Sequence, residues 1–212
     1  MRGTYKRLLE VDLTQGKTKT LSIPDEMSEK YLGGRGLGAR LLFDMFPAKI
    51  DPLSSENVLI FLTGPLTGTL VPGSSKFVVI TKSPLTRGWC DSYSSGRIVV
   101  ELKKVGYDGL VIRGKSNHPC YLRIDDNGDD IREADLIWGR DSFETERMIK
   151  ETERDPSVGV SSIGPAGEKL CRFACINSDL YRQAARGGCW SRHGIEKPQG
   201  HRGQGKERSG SS

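Results

Sequence analysis

LIFLTGPLTGTLVPGSSKFVVITKSPLTRGWCDSYSSG, residues 59–96, is the stretch that decides the fold. Apolar runs at 58–62 and 77–80 are rich in branched and aromatic residues, which predicts two short buried strands. The loops around them are dense in Gly, Pro, Ser and Thr, so their backbone N–H groups can approach a ligand closely. Lys76 and Lys82 add positive charge at the two ends of the second strand. The stretch therefore predicts either ordinary turns between strands or a site for a phosphate-bearing ligand.

The composition indicates a soluble protein. A chain of 212 residues with 35% hydrophobic and 28% charged residues suits one large domain or two small ones. No apolar run approaches the roughly 20 residues that span a membrane. The N-terminal MRGTYK has no apolar core behind its charges, so we expect no signal peptide and a cytoplasmic location.

The positive charge is concentrated at the C-terminus. From position 189 onward the basic side chains number five and the acidic ones two, so this segment supplies +3 of the net +5 and the chain before it supplies +2. A basic footprint on a folded face is therefore not indicated, and we expect no nucleic-acid partner.

The cysteines do not form a recognisable ligand pattern. The five cysteines are odd in number and widely spaced, at positions 90, 120, 171, 175 and 189. This argues against a disulfide framework and against an iron–sulfur motif. Cys171 and Cys175 lie in CRFACI, which we predict to be a strand, and we interpret them as structural thiols rather than metal ligands.

Before residue 59, the sequence predicts a hairpin and two helices. Strands at 5–13 and 17–23 flank a Gln-Gly turn, and Pro24 opens a helix with acidic residues in its first turn. A second helical stretch at 37–46 stops at Pro47. The glycine-rich joint around Arg35 has two equally supported interpretations. Its backbone could approach an anionic ligand, or its glycines could allow two helices to pack closely.

After residue 96, strands and helices alternate. The segment 97–105 fits a helix or a strand. An Asp141-Ser142-Phe143-Glu144 capping box begins a helix at 142–153. The remaining predicted elements are strands, at 109–112, 120–124 and 158–162.

Two loops in distant parts of the chain resemble each other. IGPAGE at 163–168 echoes TGPLTG at 63–68, and each loop follows an apolar strand and precedes a second strand. This echo predicts a duplicated unit with a ligand between its halves that meets a Gly-Pro loop from each. Further on, RQAARGG at 182–188 suits either a phosphate or a surface basic patch.

Seven pieces of sequence carry a resemblance to a known family. They are GGRGLGARLL (33–42), DPLSSEN (51–57), GPLTGT (64–69), TKSPLT (81–86), ELKKVGYDGLVIRGKS (101–116), IWG (137–139) and IGPAGE (163–168). In this order and spacing, the chain resembles the N-terminal domain of the aldehyde ferredoxin oxidoreductase family over residues 1–188. Residues 189–212 form a separate segment.

The resemblance implies a fold and an activity. It implies an α+β domain that is duplicated, with two sheets related by pseudo-twofold symmetry, on which two pterins rest. Family members oxidise aldehydes to carboxylic acids at a tungsten held by two pterins, and they pass electrons to ferredoxin. The [4Fe–4S] cysteines and the acid–base residues of the family lie in later domains, so we expect no catalysis from this chain alone. A family-like homodimer is also implied.

The resemblance places one half of the cofactor site on residues 76–96. Lys76 falls on the family's pterin-phosphate arginine, and lysine keeps the charge but loses the bidentate fork. Tyr93 would offer a backbone carbonyl to the magnesium ion that bridges the pterin phosphates. Ser95, which replaces a glycine, and Gly96 would lie against the cofactor.

The other half of the implied cofactor site falls on residues 182–186. Arg182 and Arg186 match family arginines beside the pterin phosphates. Gln183 would supply the second magnesium carbonyl, and Ala185 stands where glycine is usual.

The C-terminal segment changes character. Residues 189–212 are rich in glycine and charge, which predicts disorder. Residues 189–205 can be back-translated into one set of codons that, in the reading frame shifted by one base, encodes AGAVMGSKNLKAIAVR, a sequence like that of the family. We therefore interpret this segment as an out-of-frame tail rather than a natural disordered one. The leading prediction is a tungstopterin-binding domain. The alternatives are a non-catalytic pterin-binding or carrier module with a separately encoded partner, and a remnant that binds nothing.

Overall fold

The computed structural model describes residues 3–45 and 49–186, which form an α+β arrangement. The elements of the first part are β1 (Arg7–Asp12), β2 (Lys17–Ser22), α1 (Asp25–Tyr31), α2 (Gly34–Met45), β3 (Leu59–Thr63), β4 (Lys76–Lys82), β5 (Trp89–Ser95), α3 (Arg97–Lys104) and β6 (Gly109–Arg113). Those of the second part are β7 (Cys120–Asp125), β8 (Gly128–Glu133), α4 (Ser142–Glu153), β9 (Ser161–Ile163), α5 (Pro165–Glu168), β10 (Ile176–Ser178) and β11 (Arg182–Ala184).

The first half forms one six-stranded sheet, in the order β2-β1-β6-β3-β4-β5. β6 is the last strand in sequence, yet it lies in the middle, parallel to β1 and antiparallel to β3. Side chains on both faces of the central strands are buried, among them Leu9, Ile60 and Val79. The helix α2 covers one face, where Leu37 and Leu41 pack against Ile60 and its neighbours.

The glycine-rich joint lies inside a helix rather than between two helices. α2 begins at Gly34, ahead of the predicted start at Leu37, and its predicted end at 46–47 lies outside the described residues. A Cβ at Gly38 would collide with the side chain of Ile80 on β4, so this glycine allows the helix to approach the sheet closely. Arg35 pairs with Asp91 on β5, with Nε and Oδ2 3.1 Å apart.

Three of the segments that the sequence leaves open or predicts differently are residues 97–105, β5 and CRFACI. Residues 97–105 contain a helix, α3, and not a strand. The strand β5 was not predicted, because its Ser and Asp residues hide an alternation in which Cys90, Ser92 and Ser94 are buried. The prediction of a strand at CRFACI is wrong: Cys171 lies before a turn, and β10 begins only at Ile176.

The second half repeats the topology of the first but is divided into two sheets. β9, β10 and β11 form an antiparallel meander, as β3, β4 and β5 do. The hairpin β7-β8 corresponds to β1-β2, and α4 corresponds to α2 in length and in its place before the meander. Within the described residues, the hairpin and the meander are separate sheets of two and three strands. The predicted α+β class and internal duplication are thus present, with the second sheet in two pieces.

A buried ion pair fastens the start of the chain to the first sheet. Lys103 Nζ lies 2.5 Å from Asp108 Oδ1, and both side chains are about nine-tenths buried. The same carboxylate accepts a hydrogen bond from the backbone N–H of Lys6, and Lys103 donates a second one to the carbonyl of Gly3. This network positions α3, whose first turn borders the site described next.

Candidate functional site

A cavity of about 550 Å³ lies between the two halves of the chain. The first half contributes the start of β4 and the junction of β5 with α3, which bring Lys76, Ser95 and Gly96 to its wall. The second half contributes α4, the loop at 156–158 and the start of β11, which brings Arg182. Four residues that the family resemblance assigns to the cofactor site therefore line one cavity.

The wall of the cavity is positively charged. Its charged side chains are four cations and two carboxylates, a net charge of 4 − 2 = +2: Lys76, Arg97, Lys150, Arg182, Glu146 and Asp179. A net charge of this sign and size suits a phosphate dianion.

Both carboxylates already have partners. Glu146 is 4% exposed, accepts a hydrogen bond from the backbone N–H of Leu180 at 2.8 Å, and pairs with Lys150 at 2.6 Å. Asp179 accepts a hydrogen bond from the backbone N–H of Arg97, the first residue of α3.

Lys76 and Arg182 are the two cations left for a ligand. Within the described part of the chain, neither side chain forms an ion pair, whereas Arg97 pairs with Glu101 and Lys150 with Glu146. Both residues are exposed to the cavity opening. Two unpaired cations on one wall can neutralise an entering anion without first breaking an internal ion pair.

Gly96 shapes the floor of the cavity. Its φ of +152° lies in the region that favours glycine, and a Cβ there would collide with Oδ2 of Asp179 and lie 3.7 Å from Cδ of Arg182. A side chain at this position would fill the space beside Arg182. The absence of one leaves the backbone at this position approachable.

A seam between β5 and β11 continues from the cavity. Each strand is the edge of its sheet, and the two run side by side: Ser92 Oγ donates a hydrogen bond to the carbonyl of Ala185 at 2.5 Å, and Cys90 Sγ lies 4.0 Å from the carbonyl oxygen of Arg186. Ser94 Oγ is buried in this seam and has no hydrogen-bond partner among the described residues. The structure thus places Ala185 and Arg186 along the seam and not in the cavity wall.

Tyr93 and Gln183 occupy the middle of the seam, on opposite strands. An edge strand directs alternate carbonyls away from its own sheet, so carbonyl groups of β5 and β11 can face each other there. The Tyr93 ring is half-exposed, and partial burial together with the nearby Asp91 carboxylate raises the pKa of its phenol. Among the described residues, no group of three His, Cys, Asp or Glu side chains is placed to hold a metal ion.

Two features that the sequence offers as ligand contacts do not line the cavity. The Lys82 ammonium donates a hydrogen bond to the carbonyl of Ile50 at 2.7 Å, which ties down the loop before β3. The two Gly-Pro turns lie away from the cavity, with Gly64 close to Thr67 and Gly164 close to Ser142. The duplication instead brings the end of β5 together with the start of β11.

Glu146 and Asp179 were not predicted as site residues. Asp179 acts on a helix start 82 residues away, and Glu146 acts on a turn 34 residues away. Neither lies in a local capping motif for the group it binds, so periodicity and motif spacing carry no signal of these roles.

Comparisons with known proteins point to the same family that the sequence resembles. The family model "Aldehyde ferredoxin oxidoreductase, N-terminal domain" matches residues 8–194. The chain is 45% identical over 188 residues to the tungsten-containing aldehyde ferredoxin oxidoreductase of Pyrococcus horikoshii, covering 89% of this chain and 31% of that protein. It is also 39% identical to the aliphatic sulfonate oxidoreductase, WOR-like subunit, of Pyrococcus furiosus, covering 86% of this chain and 31% of that protein.

A solved structure supports the fold. The chain is similar to the active-site complex BamBC of benzoyl coenzyme A reductase in complex with 1,5-dienoyl-CoA, with a TM-score of 0.86, 34% identity, and coverage of 92% of this chain and 32% of that one. The chain therefore spans about a third of the length of the proteins it matches. No helix among the described residues has the length and apolar character needed to cross a bilayer.

Proposed function

The chain belongs to the aldehyde ferredoxin oxidoreductase family, whose N-terminal domain it matches, and from this premise we propose that it binds the phosphate-bearing part of a tungsten–pterin cofactor. The observation that carries the proposal is the cavity between the halves, where Lys76 and Arg182 lack ion-pair partners among the described residues. Its net charge and its glycine floor suit a phosphate group.

The residues present fit such a group. Lys76 and Arg182 would neutralise the phosphate, and the backbone at Ser95 and Gly96 would lie against it. Ser94 Oγ, buried without a partner in the adjoining seam, offers one further donor. The bound cofactor would supply the two-electron oxidation chemistry, while this chain positions it and keeps its charged end neutralised.

We also place a magnesium ion in the seam, held by the backbone carbonyls of Tyr93 and Gln183. Hard oxygen ligands and retained waters are what this ion prefers. Because the proposed ligands are main-chain atoms, Tyr93→Phe and Gln183→Ala should leave magnesium binding unchanged. Replacement of Mg²⁺ by Mn²⁺ should broaden the amide NMR signals around both residues, and broadening centred elsewhere would contradict this assignment.

The activity of the whole protein follows as a second part of the proposal. With the remaining two thirds found in its relatives, such a protein would oxidise an aldehyde to a carboxylic acid and pass electrons to ferredoxin through a [4Fe–4S] cluster. Its relatives carry names with different substrates, an aldehyde in one case and an aliphatic sulfonate in another. This domain is therefore expected to hold the cofactor rather than to select the substrate.

The test is equilibrium binding of neopterin monophosphate to the purified chain. Lys76→Gln and Arg182→Gln should each weaken binding about fivefold, which corresponds to about 1 kcal/mol for an exposed charge-assisted contact. Lys17→Gln is the matched control, because Lys17 lies on β2 at the opposite edge of the six-stranded sheet from β5. Lys76→Arg should tighten binding, because it restores the bidentate fork.

Three outcomes would contradict the proposal. Equal binding of neopterin, which has no phosphate, would show that the cations are not used. An equal loss in the Lys17→Gln variant would indicate a general charge effect. Binding that is unaffected by the Arg182→Gln and Lys76→Gln changes would place the ligand elsewhere.

A further inference from the structure

The accessible face of β5 carries a row of side chains that leads away from the phosphate cavity. The even-numbered residues of this strand are buried, so the odd-numbered ones lie on the opposite face: Trp89, Asp91, Tyr93 and Ser95. Ser95 lines the cavity. The row therefore begins at the cavity wall and continues along the strand with Tyr93.

Asp91 holds the side chains around it in one arrangement. Its Oδ1 accepts a hydrogen bond from the indole N–H of Trp89 at 3.0 Å, and its Oδ2 lies 3.1 Å from Nε of Arg35 on α2. Partial burial and the Asp91 carboxylate both raise the pKa of the Tyr93 phenol, so this ring belongs to the same cluster. Side chains that are already held in place lose less conformational entropy when a ligand binds.

Two members of this cluster are open to solvent. Tyr93 is 52% exposed, and the side chain of Arg35 is 64% exposed. The Arg35 guanidinium uses Nε for Asp91 and has no other partner among the described residues. The exposed rings of Phe143 and Tyr181, in contrast, pack against each other with centroids 5.7 Å apart. An accessible tyrosine ring beside a guanidinium suits a planar ring that has acceptor atoms at its edge.

The distance from the cavity to Tyr93 suits a phosphate joined to a ring by a short chain. Lys76 and Ser95 are opposite each other in the pairing of β4 with β5, and Tyr93 lies two residues along β5, about 7 Å away. In neopterin monophosphate, three carbon atoms and one oxygen separate the ring from the phosphorus atom, which is about the same span. Trp89 lies beyond Asp91 and is too distant for the same ring.

We propose that Tyr93 and Arg35 form the ring-binding part of the cofactor site. The planar heteroaromatic ring of the ligand stacks on the Tyr93 ring, and its edge accepts hydrogen bonds from the Arg35 guanidinium. A pterin has this chemistry, because its carbonyl oxygen and the adjacent ring nitrogen form a pair of acceptors. The inference rests on the proposed function, since a phosphate in the cavity brings the ring to Tyr93.

The two parts of the site have different selectivity. Lys76 and Arg182 are expected to bind any phosphate, because they recognise charge. Tyr93 and Arg35 are expected to select those phosphate esters that carry a flat ring. This division of roles allows the phosphate site and the ring site to be tested separately.

The experiment compares the affinities of the full chain for inorganic phosphate, neopterin monophosphate and neopterin. The monophosphate should bind about tenfold more tightly than inorganic phosphate, because stacking on one aromatic side chain contributes about that factor. Tyr93→Ala should remove this advantage and leave the affinity for inorganic phosphate unchanged, whereas Tyr93→Phe should retain the advantage. Phe43→Ala is the matched control, since Phe43 is an exposed aromatic residue near the other end of α2 from Arg35.

A second measurement locates the ring directly. With neopterin monophosphate bound, a nuclear Overhauser effect is expected between the carbon-bound proton of the pterin ring and the ring protons of Tyr93. Arg35→Lys keeps the charge but loses the planar fork, so it should weaken binding of the monophosphate several-fold and not that of inorganic phosphate. A role of Tyr93 in folding alone would produce neither result.

The outcomes separate this inference from the proposed function. Equal affinities for the monophosphate and inorganic phosphate, both reduced in Arg182→Gln, would overturn the ring site and leave the phosphate site standing. Binding of the monophosphate that is insensitive to Arg182→Gln, but with the ring in contact with Tyr93, would contradict the phosphate site and support the ring site. An advantage of the monophosphate that survives in Tyr93→Ala, or a pterin ring in contact with other side chains, would overturn the inference.

Discussion

Replacement of Asp179 by asparagine should separate two roles of one carboxylate. Asp179 accepts a hydrogen bond from the first backbone N–H of α3, and it also places a negative charge in the phosphate cavity. Asparagine keeps the size and shape of the side chain, and it tolerates the left-handed φ of 47° at this position. The substitution therefore removes the charge and little else.

The two effects should have opposite signs. A carboxylate at a helix N-terminus is worth about 0.3–1 kcal/mol more than a neutral group, so the free energy of unfolding should fall by that amount. The net charge of the cavity rises from +2 to +3. For a phosphate dianion about 8 Å away in high dielectric, removal of one opposing charge is worth about 1 kcal/mol, or about fivefold in affinity.

The assay is a urea unfolding curve paired with a neopterin monophosphate titration of the same preparation. The Asp179→Asn chain should be less stable and should bind the ligand more tightly, and the gain should shrink as salt is added. Asp126→Asn, in the exposed turn between β7 and β8, is the control and should change neither quantity. If stability and affinity fall together, Asp179 acts only through the fold and the electrostatic reasoning is refuted.

Three further predictions concern the fold around the site. Gly38→Ala should lower the free energy of unfolding, measured in urea, by about 1–3 kcal/mol, because the new methyl group overlaps a side chain of β4. Gly64→Ala is the control, since its methyl group has room. Equal stability of the two variants would contradict the close packing of α2 on the sheet. Lys103→Ala should lower the free energy of unfolding by about 3–5 kcal/mol in the same measurement, because it leaves the Asp108 carboxylate buried without its ion-pair partner. If the double variant Lys103→Ala with Asp108→Ala loses more stability than Lys103→Ala alone, this explanation is contradicted. Hydrogen bonds from the Ser157 hydroxyl and N–H hold the pKa of Asp155 below its usual 3.8, so the stabilisation they give is present above that pH and is lost as pH falls through the lower folded value. Between pH 5 and pH 3, the urea midpoint of Asp155→Asn should therefore fall less than that of the unmodified chain. Equal falls would contradict the assignment.

Local signals predicted a large part of the fold. The helix α4 begins after Asp141, whose carboxylate accepts the N–H groups of Phe143 and Glu144, and these bounds agree with the predicted ones. The hairpin β1-β2 follows from turn residues and alternation in the same way. In each case the deciding contacts lie within a few residues along the chain, where a sequence pattern can show them.

The elements that sequence missed depend on distant contacts. β5 has little apolar character, and it is a strand because β4 pairs with it along its whole length and the second half covers its other face. CRFACI has the composition of a strand, yet a turn interrupts it before β10. β5 is polar but becomes a strand because other parts of the chain pack on it, whereas CRFACI is apolar but contains a turn. A prediction from hydrophobic periodicity fails in both cases.

The candidate site was likewise predicted only in part from the sequence. The resemblance to a family singled out Lys76, Ser95, Gly96 and Arg182, and the structure brings these four to one cavity. The charge pattern alone offered Lys82 as well, and its ammonium donates a hydrogen bond to a backbone carbonyl on another loop. Which of two lysines on one strand faces a cavity is decided by the loops packed around its ends.

The most direct test of the central claim is a crystal structure of the chain with neopterin monophosphate. We expect the phosphate group in the cavity between the halves, within hydrogen-bond distance of the side chains of Lys76 and Arg182 and close to the backbone at Gly96. A phosphate bound at the Gly-Pro turns or on the outer face of β2, with the cavity containing only solvent, would contradict it.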